Sequence, residues 1–330
     1  MTCSRPLIII NNTAAKARRV WPIAKAELEA HLIEFDFYET RKPGDATERS
    51  RSALHDGYTT VVVVGGDGTL SEAAEGFFDN NHAQPQRGVI NSDAALAVVP
   101  AGTGDDFARG INGHRAPFEY WLQTLIEHCS GNGTTRRVDV LDASSENYSH
   151  HFICLNASTM GIGGETAARV AAQKKLMRSF PGEFRFMAAA LGALAAWRER
   201  PVRISVDGNL VTEASMNLVA VANGLYAGGG MMISPHATIT DGKLDVITVS
   251  GLNRREVIRE LPRIRRGGHV KNPKVNIVQG KHVRIETFDE RDGLLIEADG
   301  NIRGRTPAEF RVMPSALKFV VGSLAADLRR

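Results

Sequence analysis

The run Val61-Val62-Val63-Val64 constrains this chain more than any other feature. Four consecutive β-branched residues without a polar break disfavour a helix and suit a strand buried on both faces. The run leads directly into Gly65-Gly66-Asp67-Gly68-Thr69, and a helical pattern follows through Phe78. A buried strand, a glycine loop and a helix form the repeating unit of a doubly wound parallel sheet. Other segments fit that sheet. Leu7 to Ile10 is a continuous apolar run ending at Asn11-Asn12. Val20, Trp21, Ile23, Ala24, Leu28 and Leu32 recur with helical spacing. Phe35, Phe37 and Tyr38 suggest a strand ending near Thr40. A helix is expected over about 47–54, and a further strand over Ala95 to Val99.

The texture changes after Arg136. Short strand-like runs appear at Val138–Leu141, Phe152–Asn156, Val202–Val206, Ser215–Val221, Lys243–Val249, Val283–Glu286 and Leu294–Glu297. Asp207-Gly208-Asn209, Asp241-Gly242 and Asp299-Gly300-Asn301 supply turns between them. This predicts an α/β nucleotide-binding domain over 1–136 and 315–330, because the strand-like run Leu317–Val321 returns to it. A mainly antiparallel β-sandwich domain is expected over 137–314, with a helical insert between Gly164 and Glu199.

The glycine loop sits where a parallel sheet binds ligands, at the C-terminal end of a central strand. Glycines there permit positive φ and close backbone approach, amides can form a nest for phosphate oxygens, and the next helix presents a partial positive charge. Thr69 and Glu72 have capping-box spacing, which would start that helix at the loop. A second loop, Pro100-Ala101-Gly102-Thr103-Gly104-Asp105-Asp106-Phe107-Ala108-Arg109, also follows a strand. Either loop alone could be a plain turn; two at neighbouring strands indicate a nucleotide site.

Composition excludes several classes. Lys plus Arg total 40 against 37 Asp plus Glu, a net charge of +3, too balanced to argue for nucleic acid. The three cysteines, Cys3, Cys129 and Cys154, are odd in number and lack metal spacing, so a reducing compartment is expected. The apolar run ending at Ile10 is too short for a signal peptide. The run from Met187 to Trp197 is about half of the ~20 residues that a membrane span needs. The expected location is cytoplasmic, at most peripheral to a membrane.

Together these motifs resemble the diacylglycerol/sphingosine/ceramide lipid kinase family, particularly its bacterial branch, over nearly the whole chain. Gly65 to Thr69 with Glu72 resembles its nucleotide loop. Pro100 to Ala108 resembles its second loop, with Asp105 where Asn is usual. Phe152 to Gly164 resembles another family segment. Asn223-Gly224, Gly228-Gly229-Gly230, Pro235, Ala237 and Asp241-Gly242-Lys243-Leu244-Asp245 resemble its second-domain signature. NAD kinases and phosphofructokinases share the first loop but not this signature. The resemblance implies ATP contacts at Asn11, Thr40, Gly65, Gly66, Asp67, Gly68, Thr69, Leu70, Ser71, Glu72, Gly102 and Thr103. It implies a structural magnesium at the Asp241 carboxylate and the carbonyls of Thr238 and Lys243, a chemically sensible hard-cation site. A magnesium ion bridging the ATP phosphates is also implied.

Two positions depart from the family. The loop Asn11-Asn12-Thr13-Ala14-Ala15-Lys16 lacks its N-P-x-S-G residues apart from Asn11 and Thr13. The usual D-G-E, whose Glu is taken as general base, reads Asp299-Gly300-Asn301, and an amide cannot accept a proton at useful pH. Asp67 is then the first candidate base and Asp299 the second. The expected function is ATP-dependent phosphorylation of a lipid hydroxyl. The alternatives are an ATP- and lipid-binding protein of weak activity, because of Asn301, and a soluble-substrate kinase akin to NAD kinase. On the lipid side, Arg254, Arg255, Arg259, Arg263, Arg265, Arg266, Lys271 and Lys274 interleave with Val257, Ile258, Leu261 and Ile264. Such a basic amphipathic segment suits an anionic membrane surface. Met187 to Trp197 is either acyl-pocket lining or a core helix.

Overall fold

A computed structural model describes residues 5–79, 87–145, 151–173, 180 and 182–322. Cys3 lies outside them. The chain forms two compact units, residues 1–140 with 313–330 and residues 141–312. It passes between them within two long strands, β5 (Thr134–Ser145) and β16 (Ala308–Val321).

In the first unit, β1 (Leu7–Ile10), α1 (Ala15–Ala30), β2 (Asp36–Glu39), α2 (Asp45–His55), β3 (Thr60–Gly65), α3 (Asp67–Glu75), β4 (Ala95–Pro100), α4 (Asp106–Asn112) and α5 (Phe118–Cys129) follow in order. The sheet is parallel, in the order β2-β1-β3-β4, and the end of β16 adds a fifth parallel strand, with Lys318 and Phe319 beside Ala95 and Leu96. Every residue of β3 and β4 is buried, as a strand covered on both faces must be. Val20, Trp21, Ala24 and Leu28 of α1 and Leu122, Leu125, Ile126 and Cys129 of α5 cover one face. The other two long helices, α2 and α3, pack on each other and against β1 and β3. Strand order reverses between β1 and β3, which makes their C-terminal ends the topological switch point.

The second unit contains β6 (His151–Cys154), β7 (Ala157–Gly161), α6 (Ile162–Ala171), α7 (Gly182–Ala196), β8 (Arg200–Val206), β9 (Asn209–Met216), β10 (Leu218–Ala222), β11 (Leu244–Val249), α8 (Arg254–Ile264), β12 (Val275–Gly280), β13 (His282–Thr287), β14 (Leu295–Ala298) and β15 (Asn301–Arg305). One antiparallel sheet runs β12-β11-β10-β7-β14-β15; β13-β8-β9 form a second group. Val202 and Ile204, Val219 and Val221, Val283 and Ile285, and Ile296 and Phe310 interlock in one core, so this unit is a β-sandwich. Asp207-Gly208 and Asp299-Gly300 turn with both residues at positive φ, 49° and 81°, then 46° and 88°. That geometry matches the right-handed twist of a two-residue hairpin.

The expected single strand over Ser215–Val221 is two strands. Asn217 breaks it, because its side chain bonds both backbone groups of Leu252 and the Glu199 carboxylate. The expected helical insert is α6 and α7.

Candidate functional site

In the first unit the two glycine loops lie against each other. A Cβ built on Gly102 would sit 2.7 Å from Gly66 Cα, and one on Gly66 would sit 3.0 Å from Gly102 Cα. The Ala101 amide donates to the Gly65 carbonyl at 2.7 Å, joining the ends of β3 and β4. Contrary to expectation, none of Gly65, Gly66, Gly68, Gly102 and Gly104 adopts positive φ. What requires glycine at Gly66 and Gly102 is backbone-to-backbone contact, which leaves no room for a side chain.

Asp67 opens α3, and both of its oxygens accept backbone amides from the second loop, Asp106 N–H at 2.9 Å and Phe107 N–H at 3.0 Å. Its carboxylate thus stands at the positive end of α4. The capping box at Thr69 and Glu72 does not form. Gly66 is the N-cap and has no side chain to cap with. Glu72 instead accepts the Gly44 amide at 3.1 Å, and the Thr69 hydroxyl accepts the Asn11 amide group at 2.8 Å. Asn11 thereby ties the loop after β1 to the loop after β3, across the switch point.

Asp105 takes the positive φ in this region, 51°, and is buried. One oxygen accepts the Gly102 amide at 2.7 Å; the other meets Lys16 at 3.2 Å and Arg115 at 3.3 Å. Lys16 also donates to the Gly102 carbonyl and Arg115 to the Thr103 carbonyl. These two cations offset the extra charge that Asp105 brings. Sequence reasoning noted Asp105 but not its partners, which lie 89 and 10 residues away. Thr40 follows β2, its amide donating to the Ile10 carbonyl. Leu70 and Ser71 are fully buried in α3, so their side chains face the core rather than a nucleotide.

In the second unit, Asp299 is buried and both oxygens accept amides, Leu155 N–H at 2.6 Å and Asn156 N–H at 3.0 Å. Asn223 completes this junction by donating to the Leu155 carbonyl. Cys154 lies beside it, and burial, followed by the charges of Asp299 and Glu297, pushes its thiol well above the usual range. Glu297 accepts the Thr159 hydroxyl and the Gly300 amide, both at 2.6 Å. Asn301 begins β15 opposite Ala298. Thr238, Asp241 and Lys243 share one turn. The Thr238 carbonyl accepts the Asp241 amide at 3.4 Å, and Asp241 accepts the Lys243 amide at 3.0 Å. Among the described residues no cluster of three His, Cys, Asp or Glu could hold a metal. One exposed carboxylate with nearby carbonyls fits only a hard, water-rich cation. Gly228, Gly229 and Gly230 all have positive φ, between 65° and 97°, which explains the triple glycine of the second-domain signature.

Glycine loops that meet at the strand ends of a parallel α/β unit, in a chain whose second unit is a β-sandwich, define the class as a two-domain nucleotide-using kinase fold. The chain is similar to known proteins along almost its whole length. Residues 5–143 match the diacylglycerol kinase catalytic domain, and residues 158–321 match the YegS C-terminal NAD kinase beta sandwich-like domain. A diacylglycerol kinase of Staphylococcus epidermidis RP62A is 30% identical over 93% of this chain and 88% of its own. One from Staphylococcus carnosus TM300 is 29% identical over 93% and 91%. A putative diacylglycerol kinase from Bacillus anthracis Sterne superposes with a TM-score of 0.71 at 21% identity, covering 98% of this chain and 99% of that one. Yeast NADH kinase complexed with NADH shares the fold at a TM-score of 0.56 and 12% identity, over 100% and 86% of the chains. The chain therefore belongs to the diacylglycerol kinase family, whose members are phosphotransferases with an alcohol acceptor. Membership of a kinase family implies the use of ATP.

Proposed function

We propose that this chain transfers the terminal phosphate of ATP to a hydroxyl of a membrane lipid of the diacylglycerol, ceramide or sphingoid-base type, with magnesium as cofactor. The observation that carries this reading is the backbone contact of Gly66 with Gly102 at the ends of adjacent parallel strands. It leaves backbone, rather than side chains, at the ends of β3 and β4, beside the switch point. The N-terminus of α3 adds its partial positive charge, and Asn11 holds the Thr69 hydroxyl in place. Magnesium, when bound, neutralises charge on the ATP phosphates. The turn of Thr238, Asp241 and Lys243 suits the second, structural ion.

Phosphoryl transfer depends mainly on positioning and charge stabilisation, so it asks little of a base. Asp67 is the proposed proton acceptor. Its carboxylate is oriented by two amides, and a carboxylate offers about four acceptor sites. Asp299 likewise holds two amides, those of Leu155 and Asn156, but it is buried where Asp67 is only half-buried, which favours a structural role. Asn301 supports the second reading, a protein that binds ATP and lipid but turns over slowly. Exposed Arg254, Arg255 and Arg259 on α8 support contact with an anionic membrane surface.

The test is transfer from labelled ATP to a panel of diacylglycerol, ceramide, sphingoid base and phosphatidylglycerol, with NAD as the soluble control. Labelled lipid is expected. Labelled NADP without labelled lipid overturns the reading in favour of a soluble acceptor. Asp67→Asn is expected to lower turnover by about 10²–10⁴-fold while ATP still binds. Asn301→Glu is expected to change little; a rise in turnover supports the slow-enzyme reading.

A further inference from the structure

Helix α7 is apolar on all sides. After its first turn, which carries Glu183 and Arg185, the sequence to Ala196 reads Phe-Met-Ala-Ala-Ala-Leu-Gly-Ala-Leu-Ala-Ala. One face is core: Ala189, Ala190, Ala193 and Leu194 are buried. Phe186 on that side reaches the position a Cβ on Gly228 would approach. The opposite face is in solvent. Phe184 is 55% exposed, Met187 40% and Leu191 43%, and Ala188 and Ala195 are exposed beside them. Phe180, just before the helix, is 47% exposed, and its ring lies 5.4 Å from that of Phe184. The spacing of 184, 187 and 191 is that of one helical stripe, and the Phe180 ring extends it through its contact with Phe184. A helix without a polar face ordinarily sits inside a core or in lipid, and a contiguous exposed apolar patch marks an interaction surface.

We infer that this stripe is a bilayer-inserting face, which seats the second unit on an anionic membrane. Charge selects this occupant. Exposed Arg169 of α6 lies beside Gly192. Arg185 is held to Gln173 at 2.9 Å at the start of α7. Exposed Arg254 of α8 donates to the Ala195 carbonyl at its end. An apolar stripe rimmed by arginines matches an interfacial helix on anionic lipid. Two copies of the chain docking through the same stripe would bring these arginines towards their equivalents, which disfavours self-association. The inference deepens the lipid-kinase reading by naming how the chain would reach a membrane substrate. Its test uses no ATP, so the two can fail separately.

The experiment is flotation of the full chain with vesicles of phosphatidylcholine alone, or with phosphatidylglycerol added. Binding is expected only with the anionic lipid. Phe184→Ser with Leu191→Ser should weaken binding on the order of 10–100-fold, with no loss of melting temperature, because both side chains are already half exposed. Phe184→Trp should shift its emission to the blue on those vesicles and be quenched by brominated acyl chains. Undiminished binding by the double variant, or no quenching, overturns the inference. So does a dimer in light scattering that the double variant abolishes, which would make the stripe an interface between copies.

Discussion

Gly66 and Gly102 meet through their backbones, so no rotamer change can relieve a side chain placed there. Gly102→Ala would put a Cβ 2.7 Å from Gly66 Cα and 2.8 Å from the Asp105 carboxylate. The loops must then separate. Because small misplacements of bound reactants are costly, kcat/KM for ATP should fall on the order of 10²-fold. Titration calorimetry with ATP should show the affinity loss, while the thermal midpoint moves little. Carboxylates nearby do related work. Asp67 and Asp299 bond backbone amides of another segment, and Asp105 bonds the Gly102 amide of its own loop, where each charge strengthens the hydrogen bond. That role was hidden in the sequence, since an Asp in a loop looks the same whether it meets a ligand or an amide.

At the scale of elements, spacing motifs were only partly informative. Thr69-x-x-Glu72 has the capping-box pattern but forms none, because α3 already begins at Asp67 and Glu72 is drawn to the Gly44 amide. A complete box closes instead at α8, between Asn253 and Glu256. Asn253→Ala should therefore cost about 1 kcal/mol in urea denaturation, whereas Thr69→Ala should show no capping loss at α3. Strand β7, Ala157–Gly161, went unread for another reason. Its small residues carry little β-propensity, yet it is buried between β10 and β14. Leu7–Ile10 and Val61–Val64, by contrast, were legible as parallel strands, because only a strand covered on both faces rewards an unbroken aliphatic run.

At the scale of the whole molecule, half-buried His128 and buried His269 contribute to the acid side of stability. Burial lowers His128 below its usual 6.5, helped by the charge of Lys318, and burial likewise lowers His269. The unfolded chain therefore takes up these protons first. Stability is fully present above the unfolded value and declines as pH falls through it, until the folded groups also protonate. The urea midpoint should drop between about pH 7.5 and pH 5.5, and His128→Gln should flatten that slope. Asp36, lowered by the Tyr58 hydroxyl, and Asp45, lowered by the Arg41 amide, act only further into acid.

What the sequence determined by itself is local: the aliphatic runs that must be buried strands, and the Asp-Gly pairs that turn because both residues accept positive φ. The glycine loops at the strand ends were legible too, although what Gly66 and Gly102 supply there is close backbone contact rather than positive φ. Tertiary structure alone decided which partners those residues meet. Asp67 finds its amides 39 and 40 residues away, Lys16 finds Asp105 at 89, and Asp299 finds Leu155 at 144. It also decided that one side of α7 is core and the other side open to solvent. Both sides are equally apolar in sequence, so only the packing of its neighbours tells them apart.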